Sequence, residues 1–202
     1  MIVSSINYDD KEFFDIEIES QKYILNYEQL ENLKLRENDE ISFDVFRKIE
    51  GYSEYNKAIN MAFKYASSRF ISSHQLKNYL YRKNIDSDNI DKILEEFVKL
   101  NLIDDDEYLK SYISDKIQFS KSSKKKIKFD LIKIGFPQNK IEEYLNDLDT
   151  EAEIENAYEI TIKKFRDIDI SDLKLKNKIY QFLYRKGFEY DTINTVLLRI
   201  GF

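Results

Sequence analysis

The chain of 202 residues contains no cysteine, which removes disulfides, thiolate metal sites and a cysteine nucleophile and points to a reducing compartment. One proline and four glycines leave few turn and breaker residues, so long helices with short connections are expected and an all-β fold would be hard to build. The single histidine, His74, has no second imidazole for a metal and cannot form a pair with a serine nucleophile. It reads as an ordinary residue near a helix start. No apolar run approaches the roughly 18 to 20 residues needed to span a bilayer. The opening Met1-Ile2-Val3-Ser4-Ser5-Ile6 lacks the basic start, apolar stretch and small-residue cleavage site of a signal peptide. A cytoplasmic protein that does not engage membranes is expected. Neither the dinucleotide glycine pattern nor a Gly-Lys-Ser/Thr phosphate loop is present. No catalytic, cofactor-binding or metal-binding residue is therefore nominated, and the expectation is a protein that is not an enzyme and needs no cofactor.

Hydrophobic residues make up 42% and charged residues 35% of the chain, too apolar for disorder and too charged for a membrane protein. The formal charge of −6 is unevenly spread. Residues 1–57 carry 14 acidic against 7 basic side chains, leaving 25 of the 32 basic and 24 of the 38 acidic groups to residues 58–202. The acidity is local to the N-terminal part, and the overall charge says little about the surface of the rest.

The first residues alternate as strands do. In Phe13-Phe14-Asp15-Ile16-Glu17-Ile18-Glu19, Phe14, Ile16 and Ile18 share one face with acids between them. A second strand over Gln21–Tyr27 would form a hairpin turning near Ser20. Helical spacing begins after the charged joint Glu37-Asn38-Asp39-Glu40 and runs from Ser42 towards Gly51.

From Asn56 onward three segments align without a gap, starting at Leu80, Leu131 and Leu183. Apolar residues fall at the same offsets in each: Leu80, Ile85, Ile90, Ile93, Leu94 and Phe97; Leu131, Phe136, Ile141, Tyr144, Leu145 and Leu148; Leu183, Phe188, Ile193, Val196, Leu197 and Ile200. An apolar residue also stands four positions before each start, at Leu76, Ile127 and Ile179, on the same helical stripe. Asn84, Gly135 and Gly187 occupy the position of a left-handed helix cap. Further helices precede each pair, over Ala58–Phe70, Asp106–Ile117 and Glu151–Phe165. Such units bury little surface alone and are expected to stack. The expected fold is mainly α: three tandem three-helix repeats in an elongated curved array with a small N-terminal β element. The expected divisions are 1–36 for the β element, 37–57 for a connecting helix, and 58–104, 105–149 and 150–202 for the repeats.

Seven lysines, at positions 116, 121, 124, 125, 126, 128 and 133, stand against one acid, Asp130, between Lys116 and Lys133. Beside Ser122 and Ser123, Lys121, Lys124, Lys125, Lys126 and Lys128 could hold a nucleic-acid backbone or an acidic protein face, since phosphate attraction is blind to sequence. They could equally be a solvated helix start. Arg82-Lys83 and Arg185-Lys186 recur just before the helix cap, where the helix dipole favours cations. A shared ridge for a partner is the second reading. The acids Asp104-Asp105-Asp106-Glu107 lack the alternation and glycine of a calcium loop and read as helix-capping groups.

Tyr65-Ala66-Ser67-Ser68-Arg69-Phe70-Ile71-Ser72-Ser73-His74-Gln75-Leu76 through Leu80 resembles the first-repeat signature of the RecX family, bacterial regulators of the RecA recombinase. Gln75 stands where the family has Glu. Leu100-Asn101-Leu102-Ile103-Asp104-Asp105 is similar to the family's Leu-Gly-Leu-Ile-Asp-Asp joint, and Ile179–Phe188 is similar to its last repeat. The resemblance covers about residues 37–202, and the middle copy departs most, with Ser120–Lys126 in place of a glycine-based segment. It implies a monomeric regulator in homologous recombination, DNA repair and the SOS response. Such a regulator binds RecA and its filament on single-stranded DNA and inhibits ATPase, strand exchange and co-protease activity, with DNA itself a further partner. The alternative is a RecA-independent DNA-binding helical repeat module. With the resemblance, Arg69 joins Lys121, Lys124, Lys125, Lys126, Lys128, Arg82, Lys83, Arg185 and Lys186 as the candidate contact residues.

Overall fold

A computed structural model of the chain describes residues 1–9 and 13–202. The expected β element over 1–36 includes residues 10–12, which lie outside the described residues. The fold divides into two compact units, Met1–Ile103 and Asp104–Phe202. None of the described helices is long and apolar enough to cross a membrane.

The first unit opens with an antiparallel sheet in the order β1 (Val3–Asp9), β2 (Phe13–Ile18), β3 (Gln21–Asn26). Ile18 pairs with Gln21 across a two-residue turn in which Glu19 and Ser20 both have positive φ, 49° and 67°. This backbone matches the natural twist of a hairpin. Alternation places Val3, Ile16, Ile18, Tyr23 and Leu25 on the buried face, where they share a core with Ile49 of the following long helix. On the other face Glu17 pairs with Lys22, opposite charges directly across strands. The free edge of β3 is closed by side chains. Ile24 N–H donates to Ser53 Oγ at 2.9 Å, and Asn56 Nδ2 donates to the Ile24 carbonyl at 2.8 Å, which blocks edge-to-edge pairing.

Two elements of the first unit differ from the sequence expectation. Residues Tyr27–Leu33 are not β but a short helix, α1. Asn26 Oδ1 accepts from Gln29 N–H while Gln29 Oε1 accepts from Asn26 N–H, a reciprocal cap that nucleates the helix. Phe43–Ser67 is one uninterrupted helix, α2, so the expected connecting helix over 37–57 and the helix beginning at Ala58 are continuous through Gly51. A glycine inside a helix costs only about 1 kcal/mol, and α2 repays it by serving two cores. Ile49 lies in the sheet core, and Ala58, Ile59 and Ala62 lie in the next. There α3 (Ser73–Arg82) and α4 (Ser87–Lys99) contribute Leu76, Leu80, Ile90, Ile93 and Phe97. Gln75 explains its place in the first-repeat signature: its side chain accepts from Ser72 N–H at 3.1 Å while Ser72 Oγ accepts from Gln75 N–H. Glu and Gln serve this cap equally.

The second unit contains six helices, α5 (Asp105–Gln118), α6 (Lys124–Ile134), α7 (Gln138–Asn146), α8 (Thr150–Lys164), α9 (Leu173–Arg185) and α10 (Tyr190–Ile200). Asp104 caps α5 by accepting from Asp106 and Glu107 N–H. The shared offsets are the core. Leu80, Leu131 and Leu183 and their partners four residues earlier are fully buried, and every remaining offset position is buried or packed against the same clusters. Each middle helix ends alike. Ile85, Phe136 and Phe188 N–H groups reach back to the carbonyls of Leu80, Leu131 and Leu183 at 3.1–3.2 Å. The residue before each, Asn84, Gly135 or Gly187, has φ of 60°, 110° or 89°, closing the helix through a left-handed cap.

Candidate functional site

Ser123 joins the two repeats of the second unit. Its fully buried side chain accepts from Lys126 N–H at 3.2 Å, capping α6, and donates to the Lys186 carbonyl at the end of α9 at 3.0 Å. Gly187 makes the approach possible, because a Cβ there would sit 2.7 Å from Ser123 Oγ. Asn156 of α8 donates to the Ile117 carbonyl at 3.1 Å, and Glu153 Oε1 accepts from Lys124 N–H at 2.8 Å. These bonds hold the segment before α6 against α8 and the end of α9.

The result is a groove. One recess, about 590 Å³, is lined by Ser120, Lys121, Ser122, Lys126, Ile160, Lys164, Phe182, Arg185 and Lys186. A neighbouring recess of about 470 Å³ shares Lys164, Phe182 and Arg185 and adds Phe165, Lys174, Asn177, Lys178 and Gln181. No acid lines either recess. Lys121 and Lys126 are paired at the margin, with Glu159 at 2.9 Å and Asp130 at 2.7 Å. Among the described residues, Lys164, Lys174, Lys178, Arg185 and Lys186 have no carboxylate partner. Five cations without counter-charge around a concave surface focus a positive potential. At the shared wall, the rings of Phe165 and Phe182 meet edge to face at 5.7 Å, and Lys164 Nζ stands 4.3 Å from the Phe182 ring centre, within cation–π range.

Of the residues nominated from sequence, Lys121, Lys126, Arg185 and Lys186 come together in this groove. Lys124, Lys125 and Lys128 do not line it. Lys124 Nζ donates to the Leu148 carbonyl at 2.7 Å, Lys125 pairs with Glu189 at 3.2 Å, and Lys128 pairs with Glu142. These three are chiefly inter-helix ties. Arg69, Arg82 and Lys83 belong to the first unit. Tyr65 and Tyr79 stack there at 4.1 Å and 8°, with Arg69 over the first ring and Lys83 over the second, at 4.8 Å and 5.8 Å. Sequence reasoning missed Lys164, Lys174, Lys178 and Phe182. The available signal was a stripe, since Lys174, Lys178, Phe182 and Arg185 recur at helical spacing on one face of α9. A search for charge density along the chain does not see it.

Elsewhere in the second unit some charged groups tie helices together. Asp106 accepts from Tyr144 Oη at 2.8 Å and pairs with Lys140 at 2.8 Å; those contacts, Lys140 first, hold its carboxyl below the ordinary aspartate range. Burial, then the nearby Asp130, pushes the Tyr112 phenol up to about 12. No cluster of three or more metal-ligating side chains forms among the described residues.

Residues 151–197, which span α8 to α10, match the family model described as RecX, third three-helix domain. The regulatory protein RecX of Finegoldia magna is 27% identical over 201 residues, covering 97% of this chain and 98% of that protein. Among solved structures, a crystal structure of regulatory protein RecX covers 96% of this chain and 98% of its own at a TM-score of 0.77 and 20% identity, a likeness of fold. RecX from Lactobacillus salivarius covers 72% of this chain and 96% of its own at a TM-score of 0.66 and 28% identity. The repeat offsets, the capped joints and these likenesses converge: the chain is similar to regulatory proteins RecX along nearly its whole length, and its last three helices match the third three-helix domain of RecX.

Proposed function

We propose that this protein regulates RecA by binding the recombinase and its filament on single-stranded DNA, and that it inhibits ATPase, strand exchange and co-protease activity, acting in recombination and repair. The observation that carries the reading is the groove of the second unit, with five cations lacking carboxylate partners around an aromatic wall. A filament on DNA offers the phosphates such a surface would seek. Tandem repeats add several weak contacts to one ligand, which multiply through effective concentration. The protein needs no catalytic group for this, since occupying a filament suffices to obstruct it.

The test is RecA ATPase on single-stranded DNA with substoichiometric amounts of this protein. A progressive fall in turnover is expected, and unchanged turnover together with no RecA association would sink the proposal. The second reading, a DNA-binding module that acts without RecA, is favoured by the same free cations. A salt titration of DNA affinity with and without RecA separates the two. Binding through phosphates alone falls steeply with salt and does not depend on the recombinase.

A further inference from the structure

We infer that the groove of the second unit is a track for one unpaired strand of nucleic acid, with Phe182 as the ring on which a base stacks. This rests on reading the groove as the surface that meets DNA, and it specifies the ligand.

The ring lies in the wall common to both recesses, so a ligand group must enter the concavity to reach it. In a duplex the base faces cover one another, and a recessed ring finds only sugar and phosphate. An unpaired strand presents both phosphates and free base faces, and base stacking on aromatic side chains is how such strands are held without sequence preference.

The cations follow the same line. Lys174, Lys178, Phe182 and then Arg185 and Lys186 run along α9, a rise of roughly 18 Å between the first and last at about 1.5 Å per residue. That length spans several phosphates of one unpaired strand, whose backbone a cationic groove can follow. Lys164 supplies the remaining device. Its exposed ammonium stands over the Phe182 ring at 4.3 Å, on a flexible stem. Turning towards a phosphate uncovers the ring face for a base and keeps the charge inside the groove. A carboxylate-rich protein face would satisfy the cations but would leave the ring unused.

The experiment uses the full chain, a labelled oligothymidylate and a duplex of equal length, followed by anisotropy. The unpaired strand should bind more tightly than the duplex. Phe182→Leu should weaken binding of the unpaired strand roughly tenfold, within the usual range for loss of one stacked base, and leave duplex affinity and the salt slope unchanged. Lys174→Ala with Lys178→Ala should weaken both ligands. Equal strand affinity for Phe182→Leu and the unaltered protein, tighter binding of the duplex, or no strand binding at low salt each overturn the inference. Because Phe182 packs on Phe165, a measurement on the unaltered protein guards against misfolding. A strand carrying 5-iodouracil should photo-crosslink to Phe182, and adducts found only on residues that line neither recess would refute the track. RecA ATPase run on the same preparations keeps the two ideas separate. Inhibition without strand binding sinks the track and leaves regulation standing; strand binding without any effect on RecA does the reverse.

Discussion

Replacing Ser123 by alanine should destabilise the second unit by about 2 kcal/mol. The side chain is fully buried and makes two bonds of different kinds, accepting from Lys126 N–H and donating to the Lys186 carbonyl. Losing an N-cap serine costs about 1 kcal/mol. Losing the donor to a carbonyl costs about 1–3 kcal/mol, and the low end applies because Lys186 itself is exposed. For a unit of this size, 1 kcal/mol moves the midpoint by about 4–8 °C, so a fall of roughly 8–16 °C is expected in a calorimetric or circular-dichroism melt. Ser122→Ala is the control: Ser122 lines the groove but caps no helix, and its melt should stay within about 0.5 kcal/mol of the unaltered protein. A double-mutant cycle adds a structural check. Ser123 Oγ is what a Cβ at Gly187 would strike at 2.7 Å, so Gly187→Ala should cost less once Ser123 is alanine. Some cost remains, because φ at 187 is 89° whatever its neighbour. Ser123→Ala that melts with the unaltered protein would refute the view that this hydroxyl locks the two repeats together.

Lys124→Glu should lower stability by about 1–3 kcal/mol in urea unfolding, because Lys124 Nζ donates to the Leu148 carbonyl at 2.7 Å and a carboxylate there would face an acceptor. Lys125→Glu, exposed beside Glu189, should change stability by no more than about 1 kcal/mol. Asp106 is held below its ordinary value by Lys140 and then Tyr144. Its contribution to stability is therefore complete above the ordinary aspartate pKa and is lost as pH falls through the depressed value. Asp106→Asn should flatten the acid side of the stability profile in that window, and an unchanged profile would show that the contact does not matter to folding. With five cations lacking carboxylate partners in the groove, the logarithm of affinity for a single strand should fall against the logarithm of salt with a slope near about −3.5. A slope near zero would exclude phosphate contacts.

The core was readable from the sequence because apolar period is the strongest local signal. Leu80, Leu131 and Leu183 and their partners could be placed without coordinates, and so could the left-handed caps at Asn84, Gly135 and Gly187. Two boundaries were not. The reciprocal cap of Asn26 and Gln29 overrode a strand-like stretch, and Gly51 looked like a stop although α2 passes through it, held at both ends by different cores. The groove was half readable. Charge density along the chain pointed to Lys121 and Lys126, yet it also gathered Lys124, Lys125 and Lys128, whose partners Leu148, Glu189 and Glu142 come from distant segments. It passed over Lys164, Lys174 and Lys178, which become neighbours only when α8 and α9 pack and their helical periodicity is drawn onto one face. A density count along the chain finds charges; it does not find the carboxylates that neutralise them in the fold.

The Arg-Lys pair at the end of the middle helix gives the sharpest separation of architecture from function, because the fold repeats it in two surroundings. Arg82 and Arg185 behave alike towards their own helices. Each Nε donates to the carbonyl four residues earlier, Asn78 at 3.2 Å and Gln181 at 3.1 Å, as expected for a cation at a helix C-terminus. Lys83 and Lys186 likewise each stand near an aromatic ring one turn earlier, Tyr79 at 5.8 Å and Phe182 at 6.0 Å. What differs is the third copy's middle helix. Measured from the repeat's reference leucine, α9 begins at Leu173, three residues earlier than α3 at Ser73 or α6 at Lys124, and the added turn brings Lys174 into the groove. If the pairs serve only the helix dipole, replacing either pair by alanine should lower stability by the same amount, about 0.3–1 kcal/mol per residue, and neither should alter strand binding. If the groove is the contact surface, Arg185→Ala with Lys186→Ala should also reduce single-strand affinity and make the salt slope shallower by about 1.4 for two lost charges. Arg82→Ala with Lys83→Ala should leave both unchanged. Equal binding losses from the two pairs would remove the reason for assigning the contact to the second unit alone.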